Sequence, residues 1–269
     1  MTYLFDHLDL VERLLARSPF GLITDFDGTI SEIVDSPRGA TISPAIRSYL
    51  SILSKRLDVV ACVSGRRVEE LRRMVGVSGV VYIGNHGLEW WGAGCLRPVD
   101  GLSLYTERVK VIEGELESLL AIEGIFFENK GPSLSIHYRL CPDRDGVRGE
   151  ILKAIDGSTE ARGFQIMEGR MVVELRPPIG VNKGSAVLEL VDGYRLQGGI
   201  YIGDDITDVD AFRAIRSGSL DGLAVSVTAN ETPREVGEEA DLYLNGVADV
   251  ESFLGWLAHA FPAPQPEGR

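Results

Sequence analysis

Short apolar runs recur along the chain, and most end on residues that carry chemistry. Phe20-Gly21-Leu22-Ile23-Thr24 precedes Asp25, Val59-Val60-Ala61-Cys62-Val63 precedes Ser64, Val80-Val81-Tyr82-Ile83-Gly84 precedes Asn85, and Gly199-Ile200-Tyr201-Ile202 precedes Gly203-Asp204. Leu223-Ala224-Val225-Ser226-Val227 and Asp241-Leu242-Tyr243-Leu244 follow. Runs of this length, apolar on successive positions, read as strands buried on both faces of a parallel sheet. Helical spacing fills the gaps. Leu8, Val11, Leu14 and Leu15 share a stripe, residues 44–56 read as a helix with Ser43 as its cap and Pro44 in its first turn, and residues 66–71, 186–191 and 248–260 read as further helices. Alternating strands and helices predict an α/β fold around a parallel sheet.

The pattern changes after Asn85-His86-Gly87-Leu88-Glu89-Trp90-Trp91. A long amphipathic helix carries Tyr105, Val109, Ile112, Leu116, Leu119 and Leu120 on one stripe. Alternating strands are expected at 133–138 and 171–175, the latter after Phe164-Gln165-Ile166-Met167 and a Glu168-Gly169 turn, with a second helix at 147–155. This order predicts a small α+β unit with a sheet exposed on one face. Arg176-Pro177-Pro178 closes it, and the core signals then resume. The expected organisation is a core of residues 1–102 and 178–269 with residues 103–177 inserted as a lid.

Composition narrows the function more than the fold. The 269 residues are 44% hydrophobic and 25% charged, ordinary values for a globular protein. A formal charge of −13 argues against nucleic acid or an anionic membrane as partner, since both ask for basic surface. Three cysteines, Cys62, Cys95 and Cys141, have no metal-like spacing and point to a reducing, cytoplasmic setting. Residues 1–10 are acidic and too poor in apolar side chains for a signal peptide, no run reaches membrane-spanning length, and residues 261–269, with three prolines, are expected to fray.

The candidate chemistry begins with Asp25-Phe26-Asp27-Gly28-Thr29, which places two carboxylates at the end of the first buried strand, pointing the same way. Such a pair repels itself unless a cation or proton sits between its members. The pentapeptide is also ordinary turn chemistry, so its weight comes from three later segments. Ser64-Gly65-Arg66 ends the next strand, and Ser64 can either cap the following helix or donate to a phosphate. Asn182-Lys183-Gly184-Ser185 puts an ammonium at a helix N-terminus, against the helix dipole. Gly203-Asp204-Asp205-Ile206-Thr207-Asp208 closes a strand on three acids, a hard-cation site.

In this order, the four segments resemble the haloacid dehalogenase (HAD) superfamily of aspartyl-phosphate enzymes. The resemblance implies a Rossmann-like parallel-sheet core with an inserted α+β cap. It implies Asp25 as nucleophile, Asp27 as general acid and base, and Ser64 and Lys183 as holders of the phosphoryl group. It implies Mg2+ held by the Asp25 carboxylate, the Asp27 backbone carbonyl and Asp204, with Asp205 and Asp208 as further ligands or outer support. Relatives that pump ions or cleave carbon–phosphorus bonds lack an acid at the position of Asp27, so ester hydrolysis is the expected chemistry.

Glu128-Asn129-Lys130-Gly131-Pro132-Ser133-Leu134-Ser135-Ile136-His137-Tyr138-Arg139 and Glu168-Gly169-Arg170-Met171-Val172-Val173-Glu174-Leu175-Arg176-Pro177, with Gly84-Asn85-His86-Gly87-Leu88-Glu89 and the late acidic cluster, look like the trehalose-6-phosphate phosphatase family. That resemblance implies sugar-hydroxyl contacts at Glu128, Lys130, Arg139 and Glu168, with Arg66 and His86 as further substrate contacts. The expected partner is a small sugar phosphate, with possible association with a trehalose-6-phosphate synthase. A phosphatase for another glycosyl phosphate, such as glucosyl- or mannosyl-3-phosphoglycerate or sucrose phosphate, and a non-catalytic sugar-phosphate-binding subunit are the alternatives. The chain departs from the family pattern at Val209, where a glutamate is usual, and carries Asp210 next.

Overall fold

The computed structural model describes residues 2–34, 39–99, 101–169, 171–217, 220–229 and 232–260; the tail expected to fray at 261–269 lies outside them. In chain order the strands are β1 (Thr2–Tyr3), β2 (Phe20–Thr24), β3 (Val59–Val63), β4 (Val81–Gly84), β5 (Glu89–Gly92), β6 (Cys95–Pro98), β7 (Phe126–Asn129), β8 (Leu134–His137), β9 (Gln165–Gly169), β10 (Val172–Arg176), β11 (Gly198–Gly203), β12 (Asp221–Thr228) and β13 (Leu242–Asn245). The helices are α1 (Leu8–Leu15), α2 (Pro44–Leu53), α3 (Val68–Val75), α4 (Leu102–Leu119), α5 (Arg144–Gly157), α6 (Lys183–Tyr194), α7 (Val209–Ile215), α8 (Arg234–Glu238) and α9 (Gly246–Ala260). By internal contacts the chain divides into two units, Met1–Arg97 with Val181–Arg269, and Pro98–Gly180.

The first unit is built on a nine-stranded sheet in the order β1-β13-β12-β11-β2-β3-β4-β5-β6. From β1 to β4 neighbouring strands pair in parallel, and β5 returns antiparallel along β4. Alternate residues of β2 and β3 feed two separate cores. Leu22, Val60 and Cys62 pack with α2, α3 and α9, whereas Ile23, Ala61 and Val63 pack with α6 and α7. Both faces are covered by helices, which is why these strands read as continuous apolar runs. Successive strands move outward from the β11/β2 pair in both directions, so this pair is the topological switch point, where open α/β sheets bind ligands at the strands' carboxyl ends.

The second unit is a four-stranded antiparallel sheet, β7-β8-β10-β9, with α4 and α5 packed on one face. Leu134, Ile136, Val173 and Leu175 supply its core with Val109, Ile112, Leu116, Ile151 and Ile155. The opposite face is exposed along β9, as the sequence leads one to expect, but Lys130, Ser135 and Glu174 are buried on it. Charged groups there pair with one another, as desolvated charges must.

Three boundaries differ from the sequence reading. The hairpin β5–β6 turns on Ala93 and Gly94, both with positive φ, a two-residue connection that the sequence reading left out. The strand β7 was absent from the expectation because Phe126-Phe127-Glu128-Asn129 is short and half polar. Glu168 and Gly169 belong to β9, paired with Val173 and Val172, and so are not a turn. The reversal comes later, where Met171 takes a left-handed φ of 59°.

Candidate active site

The switch point brings the early and late acids together. The N–H of Asp25 donates to the carbonyl of Ile202 at 2.8 Å, extending the β2/β11 ladder by one step, so the residues following both strands are neighbours. Asp25, Asp204 and Asp208 are all buried, and one carboxylate oxygen from each lies within 4.8 Å of the others. Two glycines allow this approach. Gly28 has φ +77°, and a Cβ on it would lie 2.2 Å from Oδ2 of Asp204; a Cβ on Gly203 would lie 2.4 Å from Cγ of Asp208.

Lys183 enters from α6. Its Nζ lies 2.9 Å from Oδ1 of Asp25 and 2.7 Å from Oδ1 of Asp208. Asn182 caps the helix in a reciprocal capping box with Ser185, which fixes where the lysine begins its course. Burial pulls the Lys183 ammonium toward deprotonation, yet Asp208 and Asp25 outweigh it and its pKa is raised. Burial pushes the Asp25 carboxyl well above the usual range; Lys183 opposes this, and the charges of Asp208 and Asp204 reinforce it. One ammonium among three buried carboxylates leaves negative charge uncompensated, and an all-oxygen donor set with that excess fits a hard divalent cation.

The acids have different duties. Asp208 accepts the Tyr201 hydroxyl at 2.6 Å and Lys183 on Oδ1, and the N–H groups of Asp204 and Asp205 at 3.0 and 2.9 Å on Oδ2. Four donors fill the lone pairs of a carboxylate, so Asp208 orients the loop and the lysine. Of its two sequence readings, cation ligand and outer support, the second fits this geometry. Asp25 and Asp204 remain the carboxylates suited to the ion. Asp205 is half-buried and begins the turn that Asp208 closes.

Asp27 is held differently. Arg66 donates to it through Nε and Nη2, each at 2.7 Å, in a bidentate fork, and the guanidinium lies 5.3 Å from the centroid of Phe26. Ser64 is buried beside these groups at the end of β3. It does not cap the next helix: α3 starts at Val68 after Arg67, and Ser64 Oγ instead accepts the N–H of Arg66 at 3.2 Å. His86 sits against this loop, its Nε2 only 2.4 Å from where a Cβ on Gly65 would be.

In the second unit the structure gathers two of the four expected sugar contacts. Glu128, Ser135 and Glu174 face one another across β7, β8 and β10. Lys130 Nζ lies 3.2 Å from Glu174 and 3.9 Å from Glu128, His137 Nε2 lies 2.9 Å from Glu128, and Arg176 Nε donates to Glu174 at 2.7 Å. Glu168 is not in this group. It pairs in register with Val173, a core-facing residue, and is bound by Arg148 of α5 at 2.8 Å, on the helical side of the sheet. Arg139 lies beyond the end of β8 and accepts Arg144 Nε through its carbonyl. The sequence reading missed Glu174 and Arg176. Period-two alternation in Val172-Val173-Glu174-Leu175-Arg176 was the available signal, since it puts both on the face opposite Val173 and Leu175. It also passed over Tyr201, which nothing but its contact with Asp208 distinguishes from a core aromatic.

Comparisons with known proteins agree with this architecture. The sequence profile described as trehalose-phosphatase matches residues 23–248. A trehalose-phosphate phosphatase of Mycolicibacterium paratuberculosis is 34% identical over 227 residues, covering 82% of this chain and 57% of that protein; the chain thus spans little more than half the length of that relative. Among solved structures, a trehalose-6-phosphate phosphatase related protein superposes with a TM-score of 0.72 at 26% identity, over 89% of this chain and 97% of the other. The C-terminal domain of a Candida albicans trehalose-6-phosphate phosphatase gives 0.76 at 23% identity, over 96% and 98%, a likeness of fold.

Proposed function

From the premise that the chain belongs to the trehalose-phosphatase family, on a fold of the haloacid dehalogenase type, we propose that it hydrolyses trehalose 6-phosphate to trehalose and phosphate, with Mg2+ as its resident cation. The observation that carries this reading is the convergence of Asp25, Asp204, Asp208 and Lys183 at the switch point.

Asp25 is the nucleophile: a carboxylate oxygen bonds to phosphorus as the phosphorus–oxygen ester bond breaks. Asp27 gives its proton to the departing sugar oxygen. It then takes a proton from the water that attacks the aspartyl phosphate, releasing phosphate and restoring Asp25. The Arg66 fork favours the carboxylate form of Asp27 that serves as base, and one of its two bonds gives way when Asp27 carries the proton it donates. Lys183 and the Ser64 hydroxyl accommodate charge on the phosphoryl oxygens as it develops. Asp25, Asp204 and the Asp27 carbonyl would hold the cation, which would supply neutralising charge to the phosphoryl group. Charged residues of the second unit, Glu128, Lys130, Glu174 and Arg176, read the sugar hydroxyls. Buried groups of this kind reject analogues that cannot pair with them.

The test is phosphate release from a panel of sugar phosphates with and without Mg2+. Release from trehalose 6-phosphate, abolished by chelator and restored by Mg2+, is the expected result. Release from glycosyl-phosphoglycerates or sucrose phosphate alone would reassign the substrate, and no release from any would leave a binding subunit.

A further inference from the structure

The function above makes no use of Gly84-Asn85-His86-Gly87-Leu88-Glu89, although the sequence marks it and the fold builds it at some cost. Gly84 and Glu89 pair across the antiparallel β4/β5 ladder. Between them Asn85, His86 and Gly87 take positive φ in succession, at 47°, 57° and 117°. Left-handed residues other than glycine are strained and persist where their surroundings over-determine them.

Those surroundings are the loop carrying Ser64 and Arg66. The Ser64 N–H donates to Ile83, the His86 N–H to the carbonyl of Ser64 at 2.9 Å, and the Asn85 N–H to the carbonyl of Arg66 at 2.8 Å. Gly84 lets the loop come close, since a Cβ there would lie 2.4 Å from Val68 N and 2.7 Å from the Arg66 carbonyl. Arg67 offers α3 no side-chain cap, and Oε2 of Glu89 takes the Val68 N–H at 3.0 Å instead. The hairpin thus grips the loop at Ser64, Arg66 and Val68.

We propose that Glu89 is a positioning residue, acting through the Val68 amide to hold Ser64 and Arg66 where the phosphoryl group binds. This rests on the proposed function, in which the Ser64 hydroxyl meets the phosphoryl group and Arg66 holds Asp27 beside it. Asp25 and Asp204, the carboxylates suited to the cation, follow β2 and β11, which the grip does not touch; Asp27, whose carbonyl would join them, is tied to the loop only through its side chain, by Arg66. Loosening the loop should therefore lower phosphate affinity more than cation affinity.

The experiment uses the full chain and inorganic phosphate as a competitive inhibitor. Glu89→Ala is expected to weaken phosphate inhibition and lower kcat/KM about tenfold, with a smaller change in the Mg2+ concentration for half-maximal activity. Glu89→Gln, which keeps an acceptor oxygen, should recover most of the loss. Glu89→Asp, too short to reach, should behave like Glu89→Ala and stands in for it if the alanine variant does not fold. Hydrogen exchange at the Val68 amide, slow in the unaltered chain and faster in both deficient variants, reports the contact without reference to activity. Unchanged phosphate inhibition in a folded deficient variant, an equal loss of Mg2+ and phosphate affinity, or no rescue by glutamine overturns the proposal. An unaltered chain that releases no phosphate from any ester rejects the proposed function instead, while the exchange measurement still judges the contact.

Discussion

At the scale of single residues, identical side-chain chemistry is given different work by its surroundings. Asp25, Asp27 and Asp208 are all aspartates, yet one faces Lys183 in a buried cluster, one is forked by Arg66, and one is saturated by four donors. Asp25→Asn should lower phosphate release more than about a thousandfold while calorimetry still detects sugar-phosphate binding, because the amide keeps the shape and loses the nucleophile. Full activity in that variant would remove Asp25 from its role. Away from the site, burial pushes the Tyr82 phenol up to about 12; its hydroxyl donates to the Val77 carbonyl at 2.6 Å. The folded chain therefore keeps the phenolic proton to higher pH than the unfolded chain, whose tyrosines titrate near about 10. This contribution is fully present below about pH 10 and is lost as pH rises toward about 12. Urea denaturation at intervals across that range should show a smaller decline for Tyr82→Phe than for the unaltered chain. At neutral pH the same variant should be less stable by about 1–3 kcal/mol, because Val77 loses its partner.

At the scale of elements, the apolar runs located the central strands because burial on both faces left no other pattern open to them. The ends of elements were harder to read. Ser64 taken alone reads first as a cap and second as a phosphate donor, and only the start of α3 at Val68, four residues on, removed the first. Glu168-Gly169 reads as a turn by composition, but the β9/β10 ladder carries both residues into the strand. Ladder hydrogen bonds from another strand overrode a local preference there, and a single-segment reading has no access to them. Asn182 was legible as the start of a helix, and its capping box makes it matter for Lys183. Asn182→Ala should cost about 1 kcal/mol in urea denaturation and lower kcat by loosening the lysine. Loss of stability with kcat intact would separate the cap from the chemistry.

At the scale of the whole molecule, the proposed function assigns phosphate chemistry to the first unit and sugar recognition to the second. Glu174→Gln and Lys130→Ala should each lower kcat/KM for trehalose 6-phosphate at least about tenfold while leaving hydrolysis of a small aryl phosphate within about twofold; equal losses on both substrates would end that division. The net charge of −13 is a property of the entire surface, against which the Arg66 and Lys183 cations sit locally beside the acids they serve. Among the described residues no helix is long and apolar enough to cross a membrane, and Cys62, Cys95 and Cys141 are all free thiols. By itself the sequence determined the α/β class, the strand-end placement of Asp25, Ser64 and Asp204, and the lysine at a helix start, because burial patterns and local chain direction are encoded in neighbouring residues. Only the tertiary structure decided that Asp208 accepts four donors, that Glu174 and Arg176 join Glu128 and Lys130 while Glu168 faces the other way, and that Glu89 accepts the Val68 amide. Those facts depend on strand order and register, which bring together residues far apart in the chain, and no window along the sequence contains both partners.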